Sequence, residues 1–263
     1  MADSRFPLRW RALFISAALL TVLVARPELQ TAGADRAVPF KVGETLTFDI
    51  SWTSFVSAGT ATFSVKERRP AGPGRNAYYL IAEAKPSSVI GTLYSLYYKA
   101  ESMLDTRSLL PSVATLYSDE GGRKRQKTTT FRGNGAVQYE LKTATTATSS
   151  LKVPVATQDP LGAIYILRAL PLKVGLAVPI PITDSGKAYT MRIKVAAREL
   201  VRSGVGSLPA WKVSMSVTDA SGKAADASSF TVWISDDERK LPLKFQAGLT
   251  VGSVQLTLAK VTG

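Results

Sequence analysis

The sequence predicts an all-β, mainly antiparallel protein: a curled sheet, barrel or half-barrel, with one or two short helices packed against or capping it. Three observations carry that expectation. From Val42 onward, apolar and polar residues alternate with the period of two that a half-buried strand requires. Clusters rich in Gly, Asn, Asp and Ser interrupt those runs at short intervals, as hairpin turns do. Just two stretches show helical spacing, and a sheet of about ten or more strands curls or splits into packed layers.

The chain opens with Arg5, Arg9 and Arg11, an apolar run from Ala12 to Ala25 and the small-residue site Ala32-Gly33-Ala34. This is the layout of a secretory signal peptide, so residues 1–34 are read as that signal and 35–263 as a single β-rich domain. If retained instead, the run would serve as an amino-terminal anchor, although it falls short of the roughly 20 apolar residues of a spanning helix. Removing 1–34 takes four arginines and two acids from a net charge of +13 and leaves +11. Export of so basic a chain puts lipid phosphates and acidic envelope polymers within reach and makes nucleic acid an unsuitable partner. With no cysteine for disulfides, the exported domain must hold itself by its core.

The first strand is "GETLTFDISW", where Leu46, Phe48 and Ile50 alternate with Thr47, Asp49 and Ser51. Further strands fit "AGTATFSVKE", "NAYYLIAEA", "SVATLYSDE", "KTTTFRG", "AVQYELKT", "AYTMRIKVAAREL", "AWKVSMSVTD", "SFTVWIS", "LPLKFQAG" and "SVQLTLAKV". The turn signals "EGG", "RGNG", "DSGK", "DASGK" and "SDDERK" fall between several of them. The tract "KTATTATSS", Lys142 to Ser150, reads as an exposed strand end or loop.

The two helical stretches differ in strength. In "DPLGAIYILRALP", Asp159 suits the N-cap, Pro160 the first helical position and Pro171 the stop. Apolar residues lie on nearly every side of this helix and Arg168 is its single charge, so it should be buried or close something. The other, "SSVIGTLYSLYYKAES", spaces Val89, Leu93, Leu96 and Tyr97 helically over 87–98, but carries Gly91 in its middle.

The chain has no histidine, which removes Ser-His-Asp and Cys-His nucleophiles, and with cysteine also missing the usual zinc and copper ligand sets go too. No cofactor, metal or catalytic residue is expected. Asp184-Ser185-Gly186 has no second copy and reads as a turn, not half of an aspartic-protease pair. Ser149 and Lys152 have the spacing of a Ser-x-x-Lys pair without its companion motifs. Asp49, Glu83 and Glu101 remain as scattered strand carboxylates that a fold could pair for glycoside chemistry. The acids Asp236, Asp237 and Glu238 sit between two alternating runs and read as a hairpin connection.

The quoted runs "VGETLTFDISW" and "AGTATFSV", the central "QDPLGAIYILRALPLKVG" and the late "FTVWISDDERKLPLKFQAGLTVGSVQLTL" resemble the domain-of-unknown-function 3108 family of exported bacterial proteins. The resemblance spans nearly all of 35–263. It implies a periplasmic or envelope all-β protein and no particular reaction. In outline such a fold is similar to envelope lipid carriers of half-barrel form.

The leading functional expectation is therefore a non-enzymatic envelope protein that binds a lipid or other amphipathic ligand in its curved sheet. Tyr94, Tyr97, Tyr98, Tyr165, Ile166 and Arg168 are the candidate ligand-binding residues. Arg123, Lys124, Arg125 and Lys127 form the densest basic cluster and the candidate anionic surface, where peripheral membrane contact would also occur. Two alternatives stay open: a glycan- or wall-associated binding module stacking sugars on Trp52, Trp211 or Trp233, and a polysaccharide-acting enzyme built on carboxylates.

Overall fold

The computed structural model describes residues 34–53, 56–93, 95–248 and 252–263. The segment read as a signal peptide lies, up to Gly33, outside the described residues. The fourteen strands among the described residues belong to one antiparallel sheet that does not close into a barrel. In chain order these are β1 (Thr45–Trp52), β2 (Val56–Pro70), β3 (Asn76–Pro86), β4 (Leu96–Asp105), β5 (Pro111–Glu120), β6 (Arg123–Phe131), β7 (Ala136–Lys142) and β8 (Thr146–Lys152), followed by β9 (Ala177–Asp184), β10 (Lys187–Ser203), β11 (Gly206–Asp219), β12 (Ala224–Ser235), β13 (Pro242–Gly248) and β14 (Ser253–Thr262). Two helices interrupt them, α1 (Ser88–Leu93) and α2 (Pro160–Ala169). The spatial order runs from β8 down to β1, then through β14 down to β9. Thus β1 pairs with β14, and β8 and β9 form the two edges.

Alternation builds the two faces of this sheet. Leu46, Phe48, Phe63, Phe245 and Leu258 line the inner face near the β1–β14 seam, where Phe48, Phe63 and Phe245 pack ring against ring at 5.0–5.8 Å. Register shifts in β1, β2, β4, β10, β11 and β12 interrupt the ladders, and such bulges bend strands. The sheet curls far enough for its two ends to touch: Lys127 on β6 donates to Ser185 at the β9–β10 turn (2.8 Å). That turn has Ser185 at φ +51° and Gly186 at φ +73°, the two left-handed residues of a tight hairpin. A Cβ on Gly186 would press on the ring of Tyr139 in β7, so glycine is what allows this approach.

α2 sits inside the curl and joins its two halves. Leu161 and Tyr165 pack with Val65, Tyr78, Leu80 and Leu104 on the β2–β4 side. Ala163 and Leu167 pack with Ile180, Ile182, Met191, Ile193, Val213 and Val232 on the β9–β12 side. The helix is therefore core on two flanks, as its nearly all-round apolar surface requires.

One expectation is corrected. The helix read over 87–98 ends at Leu93: Leu96, Tyr97 and Tyr98 belong to β4, whose ladders with β3 and β5 satisfy their backbone groups better than a helix weakened by Gly91. The Lys142–Ser150 tract divides as an exposed strand end and turn: Lys142 closes β7, and Thr146–Ser150 open β8, which pairs residue by residue with β7 and is exposed along most of its length. β9, "AVPIPITD", is a strand despite Pro179 and Pro181, because an edge strand tolerates missing N–H donors.

Candidate functional site

The site is built on α2 and the strands that its third flank fails to cover. Asp159 caps the helix, accepting from the N–H groups of Leu161 and Gly162 (both 2.9 Å) and from Ser102 Oγ on β4 (2.7 Å). Burial pushes the Asp159 carboxyl up, against the downward pull of those donors. At the other end Arg168 is fully buried. Its guanidinium meets both carboxylate oxygens of Glu44 (2.6 and 3.0 Å) and the carbonyls of Lys240 (3.0 Å), Arg239 (3.0 Å) and Pro39 (3.3 Å). Both helix ends are thus fixed by buried polar bonds, which holds its exposed flank in place.

Pro160 and Ile164 on that flank, with the margins of the buried Ala163 and Leu167, line an open cavity of about 750 Å³. The opposite wall is Ile182 of β9, Tyr189 and Met191 of β10, Met215 and Val217 of β11, Phe230 of β12 and Phe245 of β13. Charge is confined to Asp184, Lys187, Asp219 and Lys223, at or beside the β9–β10 and β11–β12 turns. Asp219 is committed to its own turn, accepting from the hydroxyl (2.6 Å) and N–H (2.9 Å) of Ser221 and from the Lys223 N–H (3.0 Å). The Ser221 hydroxyl bond leads the interactions that hold its carboxyl below the usual range. Neither Lys187 nor Lys223 makes an ion pair among the described residues. The chemistry offered is an apolar trough with two free ammonium groups at its margin.

The residues singled out in the sequence fall elsewhere. Tyr94 lies outside the described residues. Tyr97 and Tyr98, adjacent on β4, point to opposite faces. Tyr97 donates to Glu83 (2.7 Å) on the outer face, where burial and the Glu83 bond push its phenol up to about 12. Tyr98 points inward and donates to Glu120 (2.8 Å). Tyr165 is buried against Phe40, ring centroids 5.0 Å apart, and burial pushes its phenol up. Ile166 packs beside both core clusters. Tyr97, Tyr98, Tyr165, Ile166 and Arg168 are not among the residues lining the cavity. What sequence reading missed is the wall opposite the helix, because which strand residues face α2 depends on the curl.

In the basic cluster, Arg123 and Lys124 are exposed, Arg125 lies 3.7 Å from Glu120, and Lys127 is turned inward to Ser185. Trp233 is buried, Trp211 half-buried, and Trp52 exposed. Glu83 and Glu101 share the outer face: Glu101 accepts from Tyr79, Thr115 (3.0 Å) and Lys99 (2.9 Å). The acids after β12 form a turn: Asp237 accepts from Ser235 Oγ (2.6 Å) and the N–H of Lys240 (3.1 Å), which aims the Arg239 and Lys240 carbonyls at Arg168. No group of three or more acidic side chains able to hold a metal occurs among the described residues.

Comparison with known proteins agrees with this architecture. The family described as protein of unknown function DUF3108 matches residues 47–259. A β-barrel-like protein of domain of unknown function DUF1849 from Brucella abortus superposes with a TM-score of 0.53 at 10% identity, covering 83% of this chain and 96% of that one. A protein from Parabacteroides distasonis (TM-score 0.36, 8% identity, 87% of this chain and 100% of that one) and one with a YmcC-like fold from Bacteroides fragilis (0.31, 7%, 88% and 100%) are more distant. No curated protein matches the chain.

Proposed function

We propose, from the premise that this chain belongs to the DUF3108 family, that it is an exported envelope protein that carries a lipid or other amphipathic molecule in the trough beside α2. The single observation behind this reading is the cavity of about 750 Å³. Its volume falls within the roughly 300–1,000 Å³ of small-molecule sites, and its walls are apolar with few polar groups, as such sites are. Leaving that much apolar surface uncovered forfeits burial worth about 25 cal/mol per Å², which an acyl chain would recover. Lys187 and Lys223 at the margin suit an anionic head group. Export rests on the amino-terminal pattern of basic start, apolar run and small-residue site.

The test is native mass spectrometry of protein purified from its own envelope. Bound mass of lipid size in the wild type, lost in Ile164→Lys, supports the reading. Ile164 lines the trough and is only half-buried, so a lysine there places charge in the site with little burden on folding. Apoprotein alone in the wild type overturns it.

A further inference from the structure

The outer face of β10–β13, on the far side of the sheet from the trough, carries a pattern that only strand register reveals. Along β10, Arg192 and Lys194 alternate with the buried Ile193, so both project outward. Opposite Arg192 stand Ser216 and then Ser229; opposite Lys194 stand Ser214, Thr231, Gln246 and Gln255 in successive strands. The next row is Lys212, Trp233, Lys244 and Thr257. Four cations thus stand around a field of hydroxyls and amides. None of the four makes an ion pair among the described residues.

The face also has relief. Shallow grooves of about 500 and 390 Å³ cross it, the first beside Arg192 and Lys194, the second beside Lys212, Thr231 and Gln246, and both include Ser214 and Ser229. Trp233 lines the second, between Lys212 and Lys244 of the neighbouring strands, whose ammonium groups stand 5.6 and 5.1 Å from its ring centre. Glu199 is held by the Trp233 indole N–H (2.5 Å). Lys212 and Lys244 are two strands apart, about 10 Å at ordinary sheet spacing.

We infer that this face binds an extended acidic polysaccharide. Its carboxylates would meet Arg192, Lys194, Lys212 and Lys244, and its hydroxyls the serine, threonine and glutamine side chains between them. Charge complementarity favours a polyanion, since the four cations form no ion pair among the described residues and outnumber Glu199, the carboxylate that Trp233 holds on this face. The composition favours a sugar polymer over a bilayer, because membrane contact wants apolar side chains that project, and Trp233 is buried, with 6% exposure. This site is independent of the trough and of its ligand.

The experiment measures binding of polygalacturonate to the full chain at several salt concentrations. It compares Lys194→Gln/Lys212→Gln/Lys244→Gln with Arg36→Gln/Lys41→Gln/Lys142→Gln, which loses the same charge at three exposed positions outside β10–β13. The first triple should bind roughly tenfold or more weakly, with a flatter salt dependence, while the control stays within about threefold of the wild type. Arg192→Gln/Lys194→Gln, at two exposed positions, should show the same direction and serves if the triple folds poorly. Equal loss in both triples would reduce the effect to net charge and overturn the assignment. Absence of polysaccharide binding, with phosphatidylglycerol vesicles bound instead, would overturn it in favour of a membrane.

Discussion

Arg168 and Glu44, 124 residues apart in the chain, meet as a bidentate pair with N···O distances of 2.6 and 3.0 Å. The Arg168 side chain is completely buried and that of Glu44 is 9% exposed. The pair, with the Pro39 carbonyl, locks the end of α2 to the segment that enters β1, and the carbonyls of Arg239 and Lys240 tie in the β12–β13 turn. A buried pair of this kind matters most when half of it is removed.

Arg168→Met is therefore expected to destabilise by about 3–5 kcal/mol, because Glu44 is left charged and unpaired in the interior. Arg168→Met combined with Glu44→Leu should lose clearly less than the sum of the single changes. Urea unfolding of the four proteins in this cycle measures the coupling; additive losses would mean that the carboxylate does not depend on this partner.

Asp159→Ala should lose about 2–3 kcal/mol: the helix cap goes, and Ser102 is left without its acceptor. Asp159→Asn keeps an acceptor for the helix N–H groups and should lose much less. Since burial raises the Asp159 carboxyl, the folded state takes up its proton more readily than the unfolded chain does. Its ionisation therefore weakens folding, and the wild type should gain on the Asn variant as pH falls. Chemical denaturation across pH 4–7 tests the sign of that change.

Asp105 behaves in the opposite sense. Burial alone would raise its carboxyl, but bonds from Ser108, Arg75 and the Arg107 N–H outweigh this and hold it at about 2, against an ordinary 3.8. The unfolded chain thus binds the proton first as pH falls. The stability Asp105 supplies, roughly 2 kcal/mol, is fully present above about pH 4 and is lost as pH falls through about 2. The stability gap between the wild type and Asp105→Asn should narrow over that range, and a gap constant with pH would contradict the assignment.

Gly204 tests how the β10–β11 hairpin folds over β14. Its N–H donates to the Leu258 carbonyl (2.7 Å), and a Cβ there would overlap the Ala259 backbone. Gly204→Ala should destabilise by about 2 kcal/mol or more, since backbone cannot yield as a side chain can. Gly133→Ala, where a Cβ meets nothing within 4 Å, is the matching control and should change stability by no more than about 0.5 kcal/mol.

The sequence by itself determined the all-β class, most of the strands, the α2 boundaries and the turns, because period-two alternation, Asp-Pro capping and Gly-rich loops are local signals. It also carried the family, through motifs spread along the chain. It misled where local and long-range preferences compete: Tyr97 and Tyr98 fit a helix by spacing but take their backbone partners from β3 and β5. Only the tertiary structure decided which strand faces meet α2, and hence that Tyr189, Met191, Met215 and Phe230 line the trough while Tyr165 and Arg168 are walled into the core. The physical reason is that a strand pattern says which residues share a face, whereas curl, bulges and register say what that face meets.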